Sequence, residues 1–415
     1  MTDDELWESI AGYYLNSRDF NGLPLRTIDI PLGVLKKALA RLVKNGDVSL
    51  MFSEFDMNTY VKRLQPQSVI RQLEYLNKVK DITHTVAYPE GERLRRYAKP
   101  QKYSEKPYSL IVARGKPLLE CAFFKLDVLE RFRNDPRYYY HFNDAGGAVY
   151  ARNENMGKDE VYVKSIGIAY DEDMNRAVCV FHGDLAEMSK DQQQYWKYFE
   201  LQGSYSPHPD FIWSQVYGQW PERSSLPEAF TAELQAINLY TTDCFGKKLF
   251  KHEYLHDKRP KELAFLLRPT LKELNGFIHI VDKLISDNIN TKFFAGVIDL
   301  EAETLRSDGR VAVTRKATLT LLEEFIRGQF KPGKDSQAPM DEMFDTFKKI
   351  RKLRTKPAHS VEEDVFDQEY FKEQRALFIE AYKALRMLRL IFQNHPQADR
   401  NKIPDWLYEG KINTL

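Results

Sequence analysis

Three cysteines in 415 residues, Cys121, Cys179 and Cys244, are too few and too scattered for a disulfide framework or a thiolate metal site. That usage fits a reducing compartment. No apolar run approaches the ~18 residues that a membrane span requires. The opening Met1-Thr2-Asp3-Asp4-Glu5 is acidic where a secretory signal is basic and then apolar, so a cytoplasmic location away from membranes is expected. Charge of one sign is not in excess either. Lys and Arg number 61 against 60 Asp and Glu, a net charge of +1, which excludes a uniformly basic nucleic-acid coat but allows a local basic patch. Internal repeats and low-complexity segments are absent from the sequence.

What is present suffices for real cores. Hydrophobic residues make up 43% and charged residues 29%, a globular balance that excludes long disorder as the dominant state. The length predicts two or three domains.

Residues 1–80 are expected to form a winged-helix-like domain. Asp3 or Asp4 is placed to cap a helix carrying Leu6, Ile10, Tyr13 and Tyr14. A second helix follows Pro31 with Leu35, Ala38, Leu39, Leu42 and Val43 at helical spacing, then Asn45-Gly46-Asp47 and a strand, Val48 to Phe52, expected to close a hairpin. Lys36, Lys37 and Arg41 lie on the polar side of that helix, where a recognition helix would meet DNA; they equally suit a solvated face. Residues 81–107 read as a basic linker in which Arg95 and Arg96, among tyrosines, are candidate nucleic-acid contacts.

Residues 108–225 read as an α+β domain, with Ser109–Val112 as a strand, Lys125 to Arg133 as a short helix, and β-rich runs at 161–170 and 177–181. A helix opened by Asp191 is expected to bury Tyr195, Trp196, Tyr198 and Phe199. Residues 226–400 read as a helical bundle, with apolar stripes near 228–240, 270–286, 316–327, 340–354 and 368–393. The expected fold class is therefore mixed and mainly α.

The strongest chemical signal is Arg354-Thr355-Lys356-Pro357-Ala358-His359. Pro357 disfavours helix at Lys356, so Arg354 falls in the last helical turn and His359 in the bend beyond. The bend can fold the imidazole back toward the guanidinium. A permanent cation beside a group titrating near pH ~6.5 suits a phosphodiester: Arg holds the nonbridging oxygens while His moves the proton of a 2′-hydroxyl. This segment, between two long helices of a C-terminal bundle, resembles the R-x4-6-H motif of HEPN domains, the helical domains of many prokaryotic RNase toxins and antiphage proteins. The resemblance spans roughly the last 150 residues. It implies metal-independent RNA cleavage, with Arg354 and His359 catalytic in a composite site where two motifs meet across a homodimer, and no cofactor. Thr355 stands where active members often carry Asn, Asp or His, which keeps a degenerate, nucleotide-binding or purely dimerising bundle as the alternative.

Other motifs are weaker. His252-Glu253-Tyr254-Leu255-His256 satisfies H-E-x-x-H, but charged neighbours and Pro260 argue against a buried zinc helix, and no metal is expected. Phe330-Lys331-Pro332-Gly333-Lys334 lacks the frame of a phosphate loop, and no Gly-x-Gly-x-x-Gly follows a strand. Two functions remain: a ribonuclease of a defence or toxin system, and a non-catalytic nucleic-acid-binding or regulatory protein that dimerises through its bundle. RNA is the expected partner, with DNA as a candidate for the N-terminal unit.

Overall fold

The computed structural model describes residues 2–17, 21–56, 58–153, 156–219, 223–254, 259–305, 310–331, 337–355, 363–399 and 403–414. Helix accounts for about 51% of the chain and the strands form several small sheets, a mixed and mainly helical architecture. The chain divides into two compact units, Met1–Gln219 and Trp220–Leu415. The division expected at 225 falls beside this boundary, whereas those expected at 80 and 107 fall inside the first unit.

The first unit opens with α1 (Asp3–Asn16), whose start is a capping box: Thr2 Oγ1 accepts from the Glu5 amide, and Glu5 accepts from the Thr2 amide. Thr2, not Asp3 or Asp4, is the cap. β1 (Leu23–Pro24) precedes α2 (Leu32–Lys44), which buries Leu35, Ala38, Leu39, Leu42 and Val43 in one core with Leu6, Trp7 and Ile10 of α1. β2 (Val48–Phe52) follows, but no tight hairpin closes on it. Its antiparallel partner is β3 (Thr85–Pro89), reached only after α3 (Val69–Lys78), and the sheet order is β1-β3-β2. Pairing is decided by which runs share buried surface, and the local pattern around β2 does not carry that information. Gly46 and Gly91 both adopt positive φ and approach so closely that a Cβ on Gly91 would lie 2.7 Å from the Gly46 carbonyl oxygen.

Residues 81–107 are not a linker. They supply β3 and α4 (Gly91–Tyr97), with Val86, Ala87, Tyr88 and Leu94 in the core. One of their basic groups is structural: the Arg93 guanidinium lies 4.2 Å over the Trp7 ring and pairs with Asp4.

The rest of this unit is built on a larger antiparallel sheet. α5 (Pro107–Ala113) contains Ser109–Val112, the run expected as a strand. A four-residue apolar run fits either period, and the Gln193 side chain decides it by accepting from the amides of Tyr108 and Ser109 at the helix start. β4 (Cys121–Phe124), α6 (Glu130–Arg133), β5 (Tyr138–Phe142), β6 (Gly146–Ala151), β7 (Tyr162–Tyr170) and β8 (Arg176–Phe181) follow. The sheet runs β4-β8-β7-β6-β5. After α7 (His182–Glu187), α8 (Lys190–Tyr198) is capped by Ser189 rather than opened by Asp191. α8 covers one sheet face with Trp196 edge-on to Phe124 at 5.0 Å, while its neighbour Tyr198 is 84% exposed and outside the core expected for it. β9 (Ser206–Pro207) joins β7, and α9 (Pro209–Tyr217) covers the other face. There Gly167 admits Phe211 so closely that a Cβ would lie 2.5 Å from its ring.

The second unit begins with β10 (Ser224–Ser225) and α10 (Leu226–Phe245), started by a Ser225/Glu228 capping box and ended by Gly246 at φ +65°. α11 (Leu271–Asp282) passes into a π-helical turn, Lys283–Asp287. An exposed hairpin, β11 (Glu301–Leu305) with β12 (Val311–Arg315), interrupts what was expected to be all helix. α12 (Thr318–Gln329), α13 (Gln337–Thr355), α14 (Gln368–Gln393), α15 (Asp405–Glu409) and β13 (Ile412–Asn413) complete the unit. Phe378 of α14 sits at the centre of its core, edge-on to Phe230 of α10, Phe277 of α11 and Phe265. Phe325 of α12 gathers Phe245, Phe293 and Phe294 in the same way.

Candidate functional site

Arg351 and Arg354 stand three residues apart on the last turn of α13, so both guanidiniums leave the helix on one side. A helix C-terminus carries partial negative charge, which favours cations there. Both face the π-helical turn after α11. Its i→i+5 bonding, seen in the Asn288 amide donating to the Lys283 carbonyl, stacks residues five apart that a regular helix would splay. Asp282 and Asp287 are such a pair.

Four charges close the site. Arg354 Nη1 donates to Asp282 Oδ2 at 2.5 Å and to Asp287 Oδ2 at 2.8 Å. Arg351 Nη1 donates to Asp282 Oδ2 and Asp287 Oδ1, both at 2.9 Å. Asp282 is fully buried, and its second oxygen accepts from Ser286 Oγ at 2.8 Å. Asp287 is exposed; burial of its carboxyl raises its pKa, but the two guanidiniums outweigh this and hold it below the ordinary carboxylate value. Among the described residues every one of these arginine bonds comes from Nη1, and none is made by Nε or Nη2 of Arg354.

His279, one turn before Asp282 on α11, was not singled out by sequence. Partial burial, Lys283 and Arg354 push its pKa below the ordinary histidine value. Its only sequence signal is the spacing His279–Asp282–Ser286, which is legible as a site only once α13 packs on α11.

The other expected residues are placed as follows. His359 lies outside the described residues. Lys36 donates to the Val79 carbonyl at 2.9 Å, closing the end of α3, and Arg41 is held in two bonds by Asp3. Lys37 is exposed, with no bonded partner among the described residues. Arg95 and Arg96 lie exposed on α4 and reach Glu92 only loosely, at 3.4 and 3.5 Å. In the H-E-x-x-H segment, residues 252–254 are not helical and Glu253 is engaged by Asn238 and Lys248; His256 lies outside the described residues. Comparison of the chain with protein-family models, with curated proteins and with solved structures finds no match in any of the three.

Proposed function

We propose that the second unit is a HEPN-like domain that cleaves RNA without a metal. The composite site forms where two copies of the chain meet, in a defence or toxin system of a prokaryotic cytoplasm. The reading is carried by Arg354: one of its nitrogens is held on a buried carboxylate, its other two make no bond among the described residues and suit a phosphate, and it stands directly before the residues leading to His359. His359 takes the proton of a 2′-hydroxyl, whose oxygen attacks the adjacent phosphorus. The bond to the 5′-oxygen breaks, and that oxygen takes a proton from the motif of the second copy. The products are a 2′,3′-cyclic phosphate and a 5′-hydroxyl. Arg354 balances charge on the nonbridging oxygens throughout.

Arg354→Ala and His359→Ala are each expected to lower RNA cleavage by ~10²–10⁴-fold, with losses that do not add. Cleavage should persist in EDTA, and the wild type should scatter light as a dimer. A folded His359→Ala protein that cleaves at the wild-type rate ends this reading.

One observation favours a second reading. The four-charge network is complete within the unit, as a structural brace between α11 and α13 would be. The bundle would then only dimerise, and nucleic-acid contact would lie elsewhere in a regulatory protein. The winged-helix-like N-terminus is a weaker candidate for DNA, because Lys36 and Arg41 are already spent on helix contacts. A wild type that dimerises and binds nucleic acid but cleaves none selects this reading.

A further inference from the structure

The face of the large sheet that α9 covers is left open at its β5–β6–β7 end. Three tyrosines cross that opening in register, Tyr139 opposite Tyr150 and Tyr150 opposite Tyr162. Tyr139 and Tyr150 stack at 4.6 Å and 18°, and Tyr162 continues the row at 5.8 Å and 54° from Tyr150. Tyr162, at the end of the row, is 57% exposed. A cation stands at each end: the Arg152 guanidinium lies 5.7 Å from the Tyr139 ring, and Lys164 Nζ lies 4.7 Å from the Tyr162 ring. Among the described residues neither cation is paired with a carboxylate. Among the described residues the Arg152 guanidinium donates to the Tyr138 carbonyl, and the exposed Glu160 forms no ion pair with either cation.

We propose that this row is a binding platform for single-stranded nucleic acid. A core does not need three rings lined up on an open face, and two cations at the ends of the row add a charge pattern that suits an anionic chain. A base has the flat π-face that continues such a stack, whatever its sequence, and its phosphates match the two cations. When a base stacks on the terminal ring, Lys164 or Arg152 moves from the ring face to the phosphate, exchanging a cation–π contact for a charged hydrogen bond. Duplex does not fit, because its bases are already stacked and paired. The proposal does not rest on cleavage by the second unit.

The test uses the full-length chain and labelled single strands of about 12 nucleotides, within the range of single-strand site sizes. DNA and 2′-O-methyl RNA of one sequence are compared; both lack the attacking hydroxyl, so binding is read without cleavage. Fluorescence anisotropy at low salt should show single strands binding more tightly than the matching duplex, and the two arms tell whether the sugar matters. Tyr150→Ala and Tyr162→Ala should each weaken binding roughly tenfold, while Tyr162→Phe keeps wild-type affinity. Lys164→Glu changes an exposed side chain, keeps all three rings, and should weaken binding in a protein that still melts cooperatively, which covers the case in which a ring variant fails to fold. Arg152→Gln should flatten the salt dependence by about one unit. Failure of the wild type to bind either single strand overturns the proposal. So does preference for duplex, affinity unchanged in Tyr162→Ala and Lys164→Glu, or ring-dependent binding of a neutral oligosaccharide or a protein in place of the strands. A platform that binds in a protein that does not cleave RNA counts against the ribonuclease reading alone.

Discussion

Asp282→Asn removes the buried anchor of the arginine pair and keeps the side-chain shape. Asp282 accepts three hydrogen bonds, from Ser286 at 2.8 Å, Arg351 at 2.9 Å and Arg354 at 2.5 Å. Removing one side of a buried ion pair costs about 3–5 kcal/mol. Here the guanidiniums are 46% and 26% exposed and retain Asp287, so solvent screening and the surviving partner reduce that to about 2–3 kcal/mol. In a unit of this size ~1 kcal/mol moves the melting temperature by about 2–4 °C, so the variant should melt about 4–12 °C lower. Asp287→Asn, at a more exposed site, should lose ~1 kcal/mol or less. The two also differ with pH. The folded pKa of Asp287 is depressed, so its contribution is present above its ordinary value of 3.8 and lost as pH falls through the folded value. The Asp287→Asn deficit should therefore vanish in acid. Thermal melts followed by circular dichroism, repeated from neutral pH to pH ~3, read both effects. If Asp282→Asn melts like the wild type, or if Asp287→Asn costs more, the buried carboxylate is not the anchor, and the account of how Arg354 is held is wrong.

Arg389 and Glu233 form a wholly buried ion pair between α14 and α10, at 2.8 Å. Glu233→Gln should cost about 3–5 kcal/mol in urea unfolding, whereas Glu233→Leu with Arg389→Met should be nearly neutral; a double variant as unstable as the single one refutes this. Asp184 borders a cavity of about 630 Å³ in the first unit, and burial followed by the nearby Glu187 raises its pKa to about 7. A raised carboxyl contributes stability below its unfolded pKa that is lost as pH rises through the folded one. Asp184→Asn should therefore gain over the wild type as pH rises from 3.8 toward about 7, and equal gains across that range would contradict the assignment.

Local pattern alone set most of the helices. The stripes near 228–240, 270–286, 316–327, 340–354 and 368–393 each became a helix, because a 3.6-residue apolar period admits one buried face whatever packs against it. The acyclic features of composition were equally local: among the described residues no helix is long and apolar enough to cross a membrane. Tertiary structure decided the rest. Ser109–Val112 became helix because Gln193, 84 residues away, receives its first amides. β2 waited for a strand beyond α3, and of the basic run at 92–103 Arg93 came to lie over Trp7. Arg354 was legible as a cation in a last helical turn, but not its carboxylate partners: Asp282 lies 72 positions away, and its alignment with Asp287 exists only because the helix widens there. The tyrosine row was illegible for the same reason. Tyr139, Tyr150 and Tyr162 lie on three strands whose register is fixed by the core face beneath them, and no spacing within any one strand brings the rings together.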